Sequence, residues 1–176
     1  MTDEMLRIRG YLTAQGAKLT PAAIVEKVQA ATADLRAAAV SVPPARFGER
    51  PAPDDWSGNE VMAHVVTSGS YCSRAIVNIL DGQPVPPPMR GRSADPGRSD
   101  LESAPLRTAE AWLEMLEGDR RALFARALGA DPAASPDGRM EHPFFGPLTW
   151  RETLLFLRLH DLDHAGQLSR IAAALA

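Results

Sequence analysis

The chain has 176 residues, of which 45% are hydrophobic, and a formal net charge of −3. This size suits one well-buried domain, and the scattered positions of its 19 basic residues argue against a nucleic-acid partner. No apolar run approaches the roughly 20 residues of a membrane-spanning helix, and the acidic N-terminus does not resemble a secretory leader. The sequence therefore predicts a cytoplasmic protein without a membrane or nucleic-acid partner.

The N-terminal part of the chain predicts an extension followed by the first long helix. Residues 1–19 hold a weak helical pattern, which predicts a short N-terminal helix docked either on the bundle or on a partner chain. Residues 20–176 form the predicted main domain. Its first helix covers residues 21–40, because Thr20 is a favourable N-cap and Pro21 suits the first helical position.

Three further helices follow in the predicted domain. The second covers residues 58–80 and opens with Ser57 and Glu60, the spacing of a capping box. The third covers residues 105–128, and the fourth runs from residue 149 to the C-terminus. Because β-branched and aromatic residues are sparse and show no alternating run, the sequence predicts no sheet.

The connections between the helices are rich in proline. Residues 81–104 are unusually long for a loop within a compact domain. A loop of this length can carry the chain along a bundle, so that the helices on either side of it run parallel. The predicted fold is therefore all-α: a four-helix bundle with a long crossover loop between helices 2 and 3, plus the short N-terminal helix.

One cysteine and two tryptophans receive structural interpretations. The lone cysteine, Cys72, has no partner for an internal disulfide and is interpreted as a small buried residue in a reducing compartment. Trp56 and Trp150 each stand next to a helix start, where a large apolar side chain can fasten the entering chain.

A pair of histidines marks the fourth predicted helix. His160 and His164 lie four residues apart and therefore project from one face of the helix. Leu157, Leu168 and Ile171 share that face, so both imidazoles are expected to point into the core. They are either hydrogen-bonded core histidines or metal ligands, and the spacing alone does not decide between these interpretations.

A third histidine favours the metal interpretation. His64 lies on the apolar face of the second predicted helix, so it also points inward. Three core-facing imidazoles on two helices match a three-nitrogen metal site with one open position, as in catalytic zinc sites. The sequence therefore predicts that His64, His160 and His164 bind a metal ion inside the bundle.

Four other side chains are candidates for the pocket around these histidines. His142 lies in a turn-rich stretch, where it bonds to the backbone, lines the pocket mouth or serves as a fourth ligand. Glu60 is explained by the capping box, although it also lies one turn before His64 and could orient it or act as a base. Asp161 is a possible outer partner of a ligand or a surface residue, and Gln167 a pocket or helix-contact residue.

Three stretches carry a family resemblance: WSGNEVMAHVV, HPFFGPLTW and HDLDHAGQLSRI, in this order. Together they resemble the DinB-like superfamily of damage-inducible and YfiT-like proteins, over roughly residues 20–174. The resemblance implies a four-helix bundle with the long crossover, and a divalent zinc or nickel ion held by His64, His160 and His164. It also implies a homodimer.

The resemblance further implies a choice of activities. Relatives include S-transferases and isomerases that use low-molecular-weight thiols such as mycothiol or bacillithiol, and some hydrolases. We therefore expect a metal-dependent thiol S-transferase acting on a small electrophilic substrate. A metal-dependent hydrolase with the same three histidines and a non-catalytic metal- or small-molecule-binding bundle are the alternatives. The second domain of the mycothiol-dependent maleylpyruvate isomerases is not found in the chain, which argues against that activity.

Overall fold

The computed structural model describes residues 2–87, 103–131 and 136–176, and it is mostly helical. The predicted all-α class is thereby confirmed. Within these residues, five α-helices and two short strands follow one another: α1 (Asp3–Lys18), α2 (Pro21–Ser41), α3 (Gly58–Leu80), α4 (Ala109–Leu128), β1 (Met140–His142), β2 (Gly146–Leu148) and α5 (Trp150–Ala174). A 3-10 turn, Pro44–Arg46, lies between α2 and α3.

Helices α2 to α5 form the bundle. Helix α2 packs against α4 and α5, and α3 packs against the same two helices. Two groups of buried apolar residues fill the interior. The first group combines the N-terminal halves of α2 and α5 with the C-terminal halves of α3 and α4, and the second group combines the opposite halves. Helices α2 and α5 therefore run in one direction, and α3 and α4 run in the other.

This arrangement bears on the predicted crossover. Helices α3 and α4 are consecutive and parallel, so α3 ends beside the first apolar group while α4 begins beside the second. A connection between them has to pass from one end of the bundle to the other. Most of the predicted crossover, residues 88–102, lies outside the described residues.

The two strands correct the prediction that the chain contains no sheet. Strands β1 and β2 form an antiparallel hairpin in which Met140 lies opposite Leu148 and His142 lies opposite Gly146. Gly146 has a φ of +67°, a conformation that glycine adopts without strain. Each strand has only three residues, too few for an alternating pattern to be recognised. Met140 and Leu148 are buried in the first apolar group.

The start of α4 is a second correction. The sequence predicts a helix from residue 105, whereas α4 begins at Ala109, after Thr108 caps it by accepting a hydrogen bond from the Ala111 amide. Leu106 precedes the helix and is 75% exposed. Its spacing from the apolar residues of α4 is therefore coincidental.

Glu152 joins α1 to the start of α5. Its carboxylate accepts hydrogen bonds from the amide of Thr149, which completes a capping box, and from the hydroxyl of Thr13 at 2.9 Å. Arg9 on α1 forms an ion pair with the same carboxylate at 3.1 Å. A Cβ at Gly16 would lie 3.1 Å from the Glu152 Cγ atom, so α1 and α5 approach closely here.

We expect Glu152→Gln to destabilise the protein by about 1–3 kcal/mol at pH 7, because it removes the charge from several hydrogen bonds. Burial acts to raise the pKa of the Glu152 carboxyl, but the bonds from Thr149 and Thr13 and the charge of Arg9 bring it below its ordinary value of 4.5. A lowered pKa in the folded state means that the carboxylate stabilises the fold above that ordinary value, and that this contribution is lost as the pH falls through the folded-state pKa.

Urea unfolding at several pH values measures this contribution. The difference in unfolding free energy between wild type and Glu152→Gln should shrink toward zero as the pH falls below 4.5. Glu110→Gln, an exposed glutamate in the first turn of α4, is the matched control and should change little. A difference that stays constant from neutral to acidic pH would contradict the assigned role of Glu152.

None of the helices in the described ranges combines the length and the apolar character that crossing a membrane requires.

Candidate metal centre

The three histidines predicted as ligands lie together between α3 and α5. His64 projects from α3, and His160 and His164 project from successive turns of α5. One ring nitrogen of each lies within 4.8 Å of the others, and the Nε2 atoms of His64 and His160 are 3.1 Å apart. The ring centroids are separated by 4.5 to 5.1 Å. The geometry therefore brings together the three side chains that helical periodicity placed in the core.

The spacing of these nitrogens fits a divalent metal ion. With bonds of about 2.0–2.1 Å, two nitrogens of a tetrahedral zinc site lie about 3.3 Å apart. The 3.1 Å between His64 and His160 is close to that value. Imidazole nitrogens are good ligands for zinc and nickel. The donor set and its dimensions thus suit such an ion, with a fourth position open.

The imidazoles of α5 are held in the neutral form. Burial lowers the pKa of His160 well below its ordinary value, and the neighbouring His164, His64 and Arg120 lower it further. Burial also lowers the pKa of His164, partly opposed by its hydrogen bond to Gln167. A neutral imidazole retains the lone pair that a metal ligand needs.

Gln167 determines which nitrogen of His164 is available. The Nδ1 atom of His164 lies 2.8 Å from the Oε1 atom of Gln167. A carbonyl oxygen only accepts hydrogen bonds, so Nδ1 is the protonated nitrogen and donates to it. The Nε2 atom of His164 then presents its lone pair, and Gln167 acts as an orienting partner of the kind usual around metal-binding histidines.

Two aromatic side chains flank the three imidazoles. Trp56 lies edge-on to His64 at a centroid distance of 5.4 Å and is nearly parallel to His164 at 6.4 Å. Phe156 lies 5.6 Å from His160. The sequence predicts only a helix-fastening role for Trp56 and misses this contact. Because Trp56 precedes α3, no helical periodicity indicates where its side chain points.

Comparison with known proteins assigns the family. The family model of the DinB superfamily matches residues 27–168, which include all three histidines. The chain belongs to the DinB superfamily. The family predicted from the three sequence stretches is thereby confirmed. No curated protein and no solved structure matches the chain.

In this DinB superfamily protein, His142 lies apart from the three histidines. Its Nδ1 atom accepts hydrogen bonds from the amides of Phe144 at 3.2 Å and Phe145 at 3.3 Å. Its ring stacks on Phe145 and packs against Phe156, and burial lowers its pKa to about 4. These contacts fit the interpretation of His142 as a histidine bonded to the backbone rather than as a fourth metal ligand. Phe156 contacts both His142 and His160.

Glu60 serves the start of α3. Its carboxylate accepts hydrogen bonds from the amide of Ser57 at 2.8 Å and the hydroxyl of Ser57 at 2.9 Å, which completes the predicted capping box. Arg50 forms an ion pair with the same carboxylate. These contacts fit the predicted role of Glu60 in capping the helix.

Asp161 and Cys72 lie in the interior of the bundle. Asp161 accepts hydrogen bonds from Thr32 and Arg120. Burial raises the pKa of its carboxyl, while Arg120 and Thr32 act in the opposite direction. Burial raises the pKa of the Cys72 thiol to about 12, so this cysteine stays protonated at neutral pH. It therefore fits the predicted role of a small core residue.

Proposed function

We propose that this DinB superfamily protein binds one divalent metal ion, zinc or nickel, and transfers a small-molecule thiol to an electrophilic substrate. One observation carries the metal-binding part: three imidazoles whose ligand atoms lie within 4.8 Å of one another in the bundle. Membership of the superfamily supports the same assignment. The thiol, mycothiol or bacillithiol, rests on the sequence resemblance.

The residues around the site would have different roles in binding the metal ion. His64, His160 and His164 would hold the ion, and Gln167 keeps the Nε2 lone pair of His164 directed toward it. When bound, a divalent metal lowers the pKa of a coordinated thiol or water, so that the reactive anion exists at neutral pH. His64 and His160 are each partly exposed, whereas His164 is buried.

Two aromatic side chains flank the proposed metal site. Trp56 and Phe156 are half-buried and contact different imidazoles. They would limit the access of water to the ion and offer apolar surface to a bound thiol or substrate. The chain itself would thus position the bound molecules and exclude water from them.

A metal-loading and turnover experiment tests this function. Protein purified without a histidine tag is loaded with zinc or nickel and mixed with a low-molecular-weight thiol and a chromogenic electrophile. We expect about one ion per chain, and turnover that requires both the ion and the thiol. Protein stripped with a chelator is the control.

The alternative activities predict different outcomes. Ester hydrolysis that needs the metal but no thiol would replace the transferase by a hydrolase with the same ligands. Metal binding without turnover of any thiol or ester would contradict both and indicate a binding protein. Failure of the wild type to bind zinc or nickel would overturn the metal site itself.

A further inference from the structure

A polar layer crosses the middle of the bundle, between the two apolar groups. We define this central polar layer by three side chains on three helices: Thr32 on α2, Arg120 on α4 and Asp161 on α5. Arg120 is 2% exposed and Asp161 is 0% exposed. Burying a charged pair is costly and adds little to stability compared with apolar packing, so its presence calls for another explanation.

Both carboxylate oxygens of Asp161 are used within this layer. The hydroxyl of Thr32 lies 2.7 Å from Oδ2, and Nη2 of Arg120 donates to Oδ1 at 3.0 Å. Helix α3 lies beside the same guanidinium, since a Cβ at Gly69 would be in ordinary van der Waals contact with Nη2, at 3.6 Å. A single residue of α5 is thus bonded to α2 and α4, directly beside α3.

The position of Asp161 on α5 connects the layer to the candidate metal centre. Asp161 follows His160 directly and precedes His164 by three residues. Apolar packing is non-directional and sets the rotation of a helix only loosely, whereas hydrogen bonds in fixed directions set it closely. The two hydrogen bonds of Asp161 therefore restrict the rotation of α5, the helix that carries both imidazoles.

We propose that Asp161 is a positioning residue of the metal centre, acting through its bonds to Arg120 and Thr32. This role rests on the proposed metal binding and adds to it. Asp161 keeps the two histidines of α5 in register with His64.

Cobalt binding to Asp161→Asn tests this role. Co²⁺ is the probe, with affinity measured by chelator competition and coordination followed through the visible absorption of the bound ion. Asparagine keeps the size and one acceptor oxygen but removes the charge. We expect the affinity to fall by about tenfold or more, as for other residues that orient metal ligands, and the absorption spectrum to change.

A neighbouring aspartate provides the matched control. Asp119 precedes Arg120 on α4 and accepts a hydrogen bond from Ser73 on α3 at 2.6 Å, so it also links two helices. Asp119→Asn should leave Co²⁺ affinity and spectrum unchanged. Thr32→Val removes one contact of Asp161 and keeps the ion pair, so it should weaken Co²⁺ binding by less than Asp161→Asn does.

The outcomes separate this role from metal binding itself. Wild-type affinity and spectrum in both Asp161→Asn and Thr32→Val would overturn the positioning role while leaving the metal site intact. Wild-type protein that binds no Co²⁺ would overturn the metal site and the positioning role together. If Asp161→Asn does not fold, Thr32→Val decides: weaker binding supports the role, and unchanged binding overturns it.

Discussion

His160→Ala is expected to abolish stoichiometric binding of zinc or nickel. The substitution removes the central imidazole, whose Nε2 atom lies 3.1 Å from that of His64 and whose ring is 4.5 Å from that of His164. Two remaining imidazoles make a poor site. The affinity should therefore fall by more than the about 10–100-fold that losing an orienting partner of a ligand costs.

Elemental analysis and chelator competition measure this effect. His142→Ala is the matched control, because it removes a buried histidine that bonds to the backbone of Phe144 and Phe145 instead. Its metal content should equal that of the wild type. Retention of one ion per chain by His160→Ala, or loss of the ion in His142→Ala, would contradict the assignment of the three ligands.

Asp161→Leu is expected to destabilise the fold by about 3–5 kcal/mol, because it leaves the guanidinium of Arg120 buried without its counter-charge. Arg120→Met should destabilise the fold by a similar amount, because it leaves the buried carboxylate of Asp161 without its counter-charge. The double variant should recover most of the loss, since apolar side chains often replace a buried ion pair at little cost. In the Asp161→Leu variant the hydroxyl of Thr32 keeps a hydrogen-bond partner, because it also lies 3.0 Å from the carbonyl oxygen of Val28.

Urea unfolding of the four proteins gives the coupling energy between the two positions. A strongly favourable coupling is expected. The double variant should nevertheless bind metal weakly, because its α5 lacks the directional contacts of Asp161. Losses that simply add would show that the ion pair is not the source of the instability.

Much of the bundle is predictable from local signals. Thr20 with Pro21 and Ser57 with Glu60 mark the starts of α2 and α3 correctly, because capping depends only on residues near in sequence. The inward direction of the three histidines follows from helical periodicity in the same way. These features need no knowledge of how distant parts of the chain pack.

Other features depend on contacts between distant residues. Arg120 resembles any charged residue of a helix, and only its pairing with Asp161, 41 residues later, places it in the core. Trp56 reaches the imidazoles through the path of the loop before α3. The hairpin of β1 and β2 is too short to give a recognisable pattern. Tertiary packing, rather than local preference, determines each of them.

The separation of the three histidines along the chain has a consequence for assembly. His64 and His160 are 96 residues apart, on helices that are adjacent only once α5 has packed against α3. Closing a loop of this length costs conformational entropy, so the complete ligand set exists only once the two helices have packed together. An ion bound there would discriminate between the native chain and its partly folded forms. A higher free concentration of the ion would then raise the stability of the folded chain.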